Sequence, residues 1–229
     1  MIRTKEDLQV YLQADLNRYG GKSPGLKDHI LHKEWTIWWK YQKLLRIFEY
    51  YENNKNRNIL FKLLWLYYLY KHRRESLSLK SFLFPNTLGP GLCIYHVGQV
   101  LISKTAKIGK GFTCRPGCVI GNVEGEESAA IIEDNVEFSL GVKVFGSIKI
   151  GREALINANS VVMSNIPPYA IVVGNPGKII GFRMSPKKIL EYEQNVYPED
   201  ERISLEVLQQ NYEKYFLNRR KEIINFLKV

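Results

Sequence analysis

Two stretches decide the fold: ISKTAKIGKGFTCRPGCVIG (102–121) and IEDNVEFSLGVKVFGSIKIGREALINANSVVMSNIP (132–167). Written in sixes from Ile102, the chain holds one frame over eleven units. Outside the units at 120–131, the first position is Ile, Val, Phe or Cys. The fifth is mostly small or branched, as at Ala106, Cys118, Val136, Val142, Ala154 and Ser160, with Phe112, Ile148 and Ile166 as larger members. Glycine recurs at positions two to four. A period of six is neither helical nor a two-residue alternation; it is the hexapeptide signature of a parallel β-helix. Each unit makes one short strand and a turn, and its first side chain enters the core. Units 120–131 keep the count but read NVEGEESAA at their centre, which predicts a loop thrown out from one corner.

The flanks read differently. TKEDLQVYLQADLNRYGG predicts a helix capped at Thr4 and stopped at Gly20–Gly21, with Leu8, Tyr11, Leu12, Leu16 and Tyr19 on one face. Two more helices are predicted over about 33–53 and 57–74, aromatic enough for a core or a subunit contact. A last one follows from Ser204, with Leu205, Leu208, Tyr212, Tyr215, Phe216, Ile223 and Phe226 on its broad face. The predicted organisation is a helical segment (1–80), a coil (81–182) and a C-terminal helical extension (183–229).

The 229 residues carry a formal charge of +10, which suits an anionic ligand or a membrane surface; no nucleic-acid-binding pattern is present. Cys93, Cys114 and Cys118 form neither a CxxC pair nor an even disulfide set, so reduced thiols and a cytoplasmic location are expected. The charged N-terminus does not read as a signal peptide. The most apolar stretch, 59–70, is short of the ~20 residues that span a bilayer. Any membrane contact is expected to be peripheral.

GPGLCIYHVGQVLI (89–102) and PPYAIVVGNPGKIIG (167–181) carry a resemblance. Together with the hexads they resemble the left-handed β-helix acyltransferases, in the serine-acetyltransferase-like branch. The resemblance implies a trimer, or a dimer of trimers, with acetyl-CoA lying along the coil between subunits and no metal. It implies His96 as the catalytic base, an imidazole being the side chain that exchanges protons near neutral pH. A cysteine nucleophile, Cys93 or Cys114, stands as an alternative beside simple packing. The cofactor residues it implies are Gly141, Asn157, Ala158, Asn159, Gly174, Lys178 and Arg183. With about eighteen residues per coil, Leu140, Gly141, Ala158, Asn159, Pro176 and Gly177 are expected to form a column beside the loop at 122–131.

Counted in sixes from Ile102, His96 takes a first position. A backbone carbonyl, Glu133 or Glu137 is left to orient it. Where the serine enzymes have an aspartate before the histidine, Tyr95 stands here. Their histidine-orienting aspartate falls on Ser81, and their arginine–histidine pair near Ser128 and Ala129. These departures favour a sugar hydroxyl of a capsular or exopolysaccharide glycan as acceptor, with Tyr95 stacking on the ring. The alternatives are serine O-acetylation, N-acetylation of an amino sugar, and a non-catalytic scaffold.

Overall fold

The computed structural model describes residues 1–31, 33–125 and 127–226, with backbone alone for 29 and 216–226. Every strand of the coil is two to four residues long and pairs in parallel with the strand one coil away. The first face stacks β1 (Cys93–Ile94), β4 (Thr113–Cys114), β7 (Glu137–Phe138), β10 (Leu155–Ile156) and β12 (Ala170–Val173). The second stacks β2 (Val100–Ile102), β5 (Cys118–Gly121), β8 (Lys143–Phe145) and β11 (Val161–Val162). The third stacks β3 (Lys107–Ile108), β6 (Ile131–Ile132) and β9 (Lys149–Ile150). This is a left-handed parallel β-helix, closed by an antiparallel hairpin of β12 with β13 (Lys178–Phe182).

The hexad rule explains the core. Ile102, Ile108, Cys114, Ile120, Ile132, Phe138, Val144, Ile150, Ile156 and Val162 are all buried, six residues apart around the prism except for the twelve that span the loop. The frame fails at the start. Ile94 and Val100 point inward, and so does Ile102 at the far end of the same strand. Cys93 therefore pairs with Thr113, whereas Val100 pairs with Cys118: the first coil is two residues longer than the regular repeat. The surplus bulges at Tyr95–Gly98, which removes His96 from the core position that counting assigned to it.

The loop leaves between β5 and β6, and its coil is six residues longer than the next, since Val119 pairs with Lys143 but Lys143 with Val161. It stands at the corner between the second and third faces. The column of Gly141 and Asn159 stands at the corner between the first and second. The loop and the column are therefore on different edges, contrary to the sequence expectation.

Helices α1 (Lys5–Asn17), α3 (Glu34–Asn54) and α4 (Ile59–Ser78) lie where predicted, α4 extending four residues further; a five-residue helix, α2 (Leu26–Ile30), was not foreseen. Thr4 caps α1 in a reciprocal box with Asp7. Trp38, Tyr41 and Leu45 of α3 belong to the same core as the coil. The junction is polar and buried. Arg46 and Asp15 are fully buried and paired at 2.8 Å. Asp15 accepts the amides of Gly91 and Leu92 at 2.8 and 2.9 Å, and Arg46 donates to the carbonyls of Leu88 and Gly89 at 2.7 and 2.6 Å.

At the other end, within the expected helical extension, α5 (Pro186–Val196) packs Ile189 against Tyr169 and Leu208 of α6 (Leu205–Phe226). Glu193 ties α5 down through Tyr169 and Arg152. Tyr212 stacks on Phe182 at 4.3 Å. The side chains of Phe216, Ile223 and Phe226 lie outside the described residues.

Replacing Arg46 by Ala strands the buried carboxylates of Asp15 and Glu49 and is expected to lower unfolding stability by about 3–5 kcal/mol in urea titration. Lys40→Ala, which removes an exposed partner of Glu75, is expected to cost under about 1 kcal/mol. His72 lies between the rings of Tyr41 and Phe48, and burial pulls its pKa down from 6.5 to about 4. Over that window the unfolded chain binds a proton that the folded chain resists. Stability contributed by neutral His72 is therefore complete above pH 6.5 and declines toward pH 4, by up to about 3 kcal/mol. A His72→Phe variant is expected to flatten this part of the stability–pH curve.

Candidate active site

β1 ends at Ile94, and the chain turns outward over Tyr95–Gly98. His96 holds a left-handed backbone conformation, φ 62°. Such a φ is costly for a side-chain-bearing residue and persists only when its surroundings hold it. Three contacts do so. The indole of Trp38 donates to the His96 carbonyl at 2.7 Å. The Ser81 hydroxyl lies 3.3 Å from the Gly98 carbonyl and accepts the Val100 amide at 3.0 Å. Gly98 lies against Pro116, where a Cβ would come within 2.6 Å of the proline Cβ. The position at which the resemblance implies an orienting aspartate is thus occupied by Ser81, which serves the backbone of the turn.

The imidazole projects from the turn, 64% exposed, with Nδ1 3.2 Å from Oε2 of Glu34. Glu34 opens α3, one turn before Trp38, so a single helix grips the backbone and the ring of His96. The two carboxylates proposed from sequence are engaged elsewhere: Glu133 with Lys149 and the Arg152 amide, Glu137 with Arg115 and Arg183. With Nδ1–H donated to Glu34, the Nε2 lone pair faces outward.

His96 shares its edge with most of the expected cofactor residues. The Gly117 amide donates to the Gln99 carbonyl, the Gly141 amide to Pro116 and the Asn159 amide to Leu140. Gly141, at φ 71°, receives the Asn159 side chain where its own Cβ would stand, 2.2 Å from Oδ1. Ala158 and Asn159 are exposed one rung above, next to Asn157. Gly174, at φ 100°, and Lys178 flank the turn of the closing hairpin on the same edge. From His96 to Gly174 the edge rises four ladder steps, about 19 Å at ~4.8 Å per step. Arg183 is the exception. It lies past the far end of β13, where it pairs with Glu137 and Glu153 and is not brought to this edge. Ser128 and Ala129 are on another corner, bonded to Ser147 and Thr105.

Tyr95 is half-exposed beside the turn, with the Arg115 guanidinium 5.5 Å from its ring centroid. Next to it lies Arg18, whose Nη2 donates to Thr113 Oγ1 at 2.7 Å. Tyr19 seals the first rung, its hydroxyl donating to the Ile94 carbonyl and accepting the Ile94 amide. Sequence reasoning did not find Arg18, Glu34 or Trp38. No spacing rule links them to a residue some 60–80 positions away.

Cys114 and Cys118 fill the coil core, and Cys93 is buried under the end of α1. Burial raises the pKa of all three thiols, so the reactive thiolate is scarce at neutral pH. All three are expected to react with iodoacetamide only on unfolding, read by mass spectrometry with and without urea.

The fold is that of the left-handed β-helix acyltransferases. Along the coil the chain is similar to serine acetyltransferases. That of Mycobacterium tuberculosis (strain ATCC 25618 / H37Rv) is 38% identical over 96 residues, which are 41% of this chain and 42% of that protein. That of Staphylococcus aureus (strain Mu50 / ATCC 700699) is 40% identical over 95 residues, 41% and 45%. The matched region is under half the length of these curated relatives. Among solved structures, Neisseria gonorrhoeae serine acetyltransferase in complex with serine superposes with a TM-score of 0.56 at 26% identity, over 76% of this chain and 69% of that one. The Brucella abortus enzyme in complex with coenzyme A shares the fold, with a TM-score of 0.58 at 23% identity, over 76% and 66%. No family model matches. These relatives overturn the glycan acceptor expected from Tyr95 and the missing corner-loop pair, and with it polysaccharide biosynthesis and a sugar-stacking role for Tyr95.

Proposed function

We propose that this chain transfers an acetyl group from acetyl-CoA to the hydroxyl of serine. The observation that carries the reading is the His96 turn: an exposed imidazole gripped by Glu34 and Trp38, on a coil similar to those of serine acetyltransferases. In this reading Nε2 of His96 takes the hydroxyl proton as the serine oxygen attacks the thioester carbonyl. The C–O bond forms, the tetrahedral oxyanion collapses, and the C–S bond breaks. The imidazolium returns its proton to the departing thiolate. Glu34 holds the productive tautomer and offsets the imidazolium charge.

Acetyl-CoA lies along the edge, its pantetheine arm meeting Gly141, Asn157, Ala158, Asn159 and Gly174, and its phosphates Lys178. Arg18, a guanidinium next to Tyr95, supplies the fork for the serine carboxylate that the corner loop lacks. The assembly is a homotrimer in the cytoplasm, with the edge of one subunit facing the next. The division into 1–80, 81–182 and 183–229 follows these roles: base positioning, catalysis and packing of helices against the closed end of the coil.

The test is CoA release from acetyl-CoA with L-serine, followed by thiol detection. His96→Ala is expected to lower kcat about 10²–10⁴-fold while leaving acetyl-CoA affinity nearly unchanged. Glu34→Gln is expected to lower kcat about tenfold with the KM for serine little changed, because the imidazole loses the carboxylate that orients it. Arg18→Ala is expected to act on the KM for serine more than on kcat. Absence of release with serine, or a His96→Ala variant of ordinary activity, sinks the reading.

A further inference from the structure

Helix α4 has two faces, and only one is accounted for by the fold. On the inner face, His72 and Ser76 are buried and Tyr68 stacks on Tyr51 of α3 at 5.0 Å. On the outer face Ile59, Leu60, Leu63, Leu66, Tyr67 and Tyr70 are 47–72% exposed. At about 100° per residue these six fall within an arc of roughly 120°, a continuous apolar stripe. Lys62 and Arg73 flank it on one side and Lys71 on the other, with Arg74 continuing its line. From Ile59 to Arg74 the sequence contains no acidic residue. The next one, Glu75, is held by Lys40.

The stripe borders a cleft. Between α4 and residues 82–85 lies an open cavity of about 530 Å³, walled by Leu69, Leu77, Phe82 and Phe84. Two exposed cations, Arg73 and Lys104, also line it. Its one carboxylate, Glu52, is engaged by Lys55 and the Trp65 indole. The cleft thus joins an apolar interior to positive charge that no ion pair among the described residues offsets, which matches an acyl chain ending in an anionic headgroup.

We propose that α4 and this cleft dock on an anionic lipid surface, the stripe entering the acyl boundary and the flanking cations meeting phosphate headgroups. Charge decides the occupant. A second copy laid on the same stripe sets cations against cations, with no carboxylate on either helix from 59 to 74 to pair them. A phosphate-bearing surface supplies the counter-charge along the whole helix. The formal charge of +10 adds long-range attraction of the same sign. No helix among the described residues is long and apolar enough to cross a membrane, so docking lies in the plane of the interface. The proposal does not depend on the acyl-transfer reading.

The test is flotation of the full chain with vesicles of phosphatidylglycerol and phosphatidylcholine in equal parts, against phosphatidylcholine alone. Binding to the mixed vesicles, released by salt, is the expected result. The double variant Leu63→Gln/Tyr70→Gln and, separately, Arg73→Gln/Arg74→Gln are each expected to lose about tenfold in partitioning with an unchanged circular-dichroism spectrum. The arginine pair lies at exposed tips and keeps the test alive if the first variant unfolds. Failure to float with the mixed vesicles overturns the proposal. Equal binding to neutral vesicles, unaffected by the arginine changes, overturns the headgroup role. No vesicle binding, with an oligomer lost by light scattering in the Leu63/Tyr70 variant, assigns the face to a second copy instead.

Discussion

The buried pair of Asp15 and Arg46 is the constraint on which the arrangement rests. A β-helix is an open prism: its first coil presents backbone amides and carbonyls with no strand beneath them, and leaving such groups unpaired away from water costs free energy. Here the open end is stoppered by two side chains from helices. Asp15 takes two amides of the first coil and Arg46 two of its carbonyls, and Arg46 pairs with Asp15 and with the equally buried Glu49. Neither charge tolerates that depth alone. The pair therefore fixes how α1 and α3 sit on the coil, and through them everything that reaches the His96 turn.

From that anchor α3 runs over the first coil with its N-terminal turn above the bulge. Trp38 and Glu34 lie one helical turn apart and meet the carbonyl and the ring of one residue. Its backbone is strained and its side chain faces water, a combination that packing alone does not explain. The same geometry accounts for the departures from the serine enzymes. In place of an aspartate, Ser81 serves the backbone of the turn, a carboxylate of α3 meets the ring, and Arg18 at the end of α1 is the guanidinium we propose for the serine carboxylate.

Much of this was legible beforehand. The hexad frame predicted the strands, their spacing and the residues that line the core, because each first-position side chain has only the prism interior to enter. The edge of Gly141, Ala158 and Asn159 follows from the same count, and Gly174 and Lys178 were placed there by the resemblance. Two of the readings that failed depended on a local change of count. Two extra residues before Val100 turn His96 outward, and six extra around the loop leave it on another edge from the column. The glycan acceptor was read from departures at Tyr95, Ser128 and Ala129, and the similarity of the coil to serine acetyltransferases overturns it.

The sequence by itself determined what is periodic: a β-helix from residue 81 onward, helices on both flanks, and a histidine singled out from the rungs around it. Periodicity is local physics, set by whether a side chain faces core or water every few residues. The tertiary structure alone decided what surrounds that histidine. Glu34, Trp38 and Arg18 come from other elements, tens of residues away, and nothing in their local pattern marks them. Their positions follow from how two helices pack over the open end of the coil, and that packing is set by burial and charge pairing across the chain.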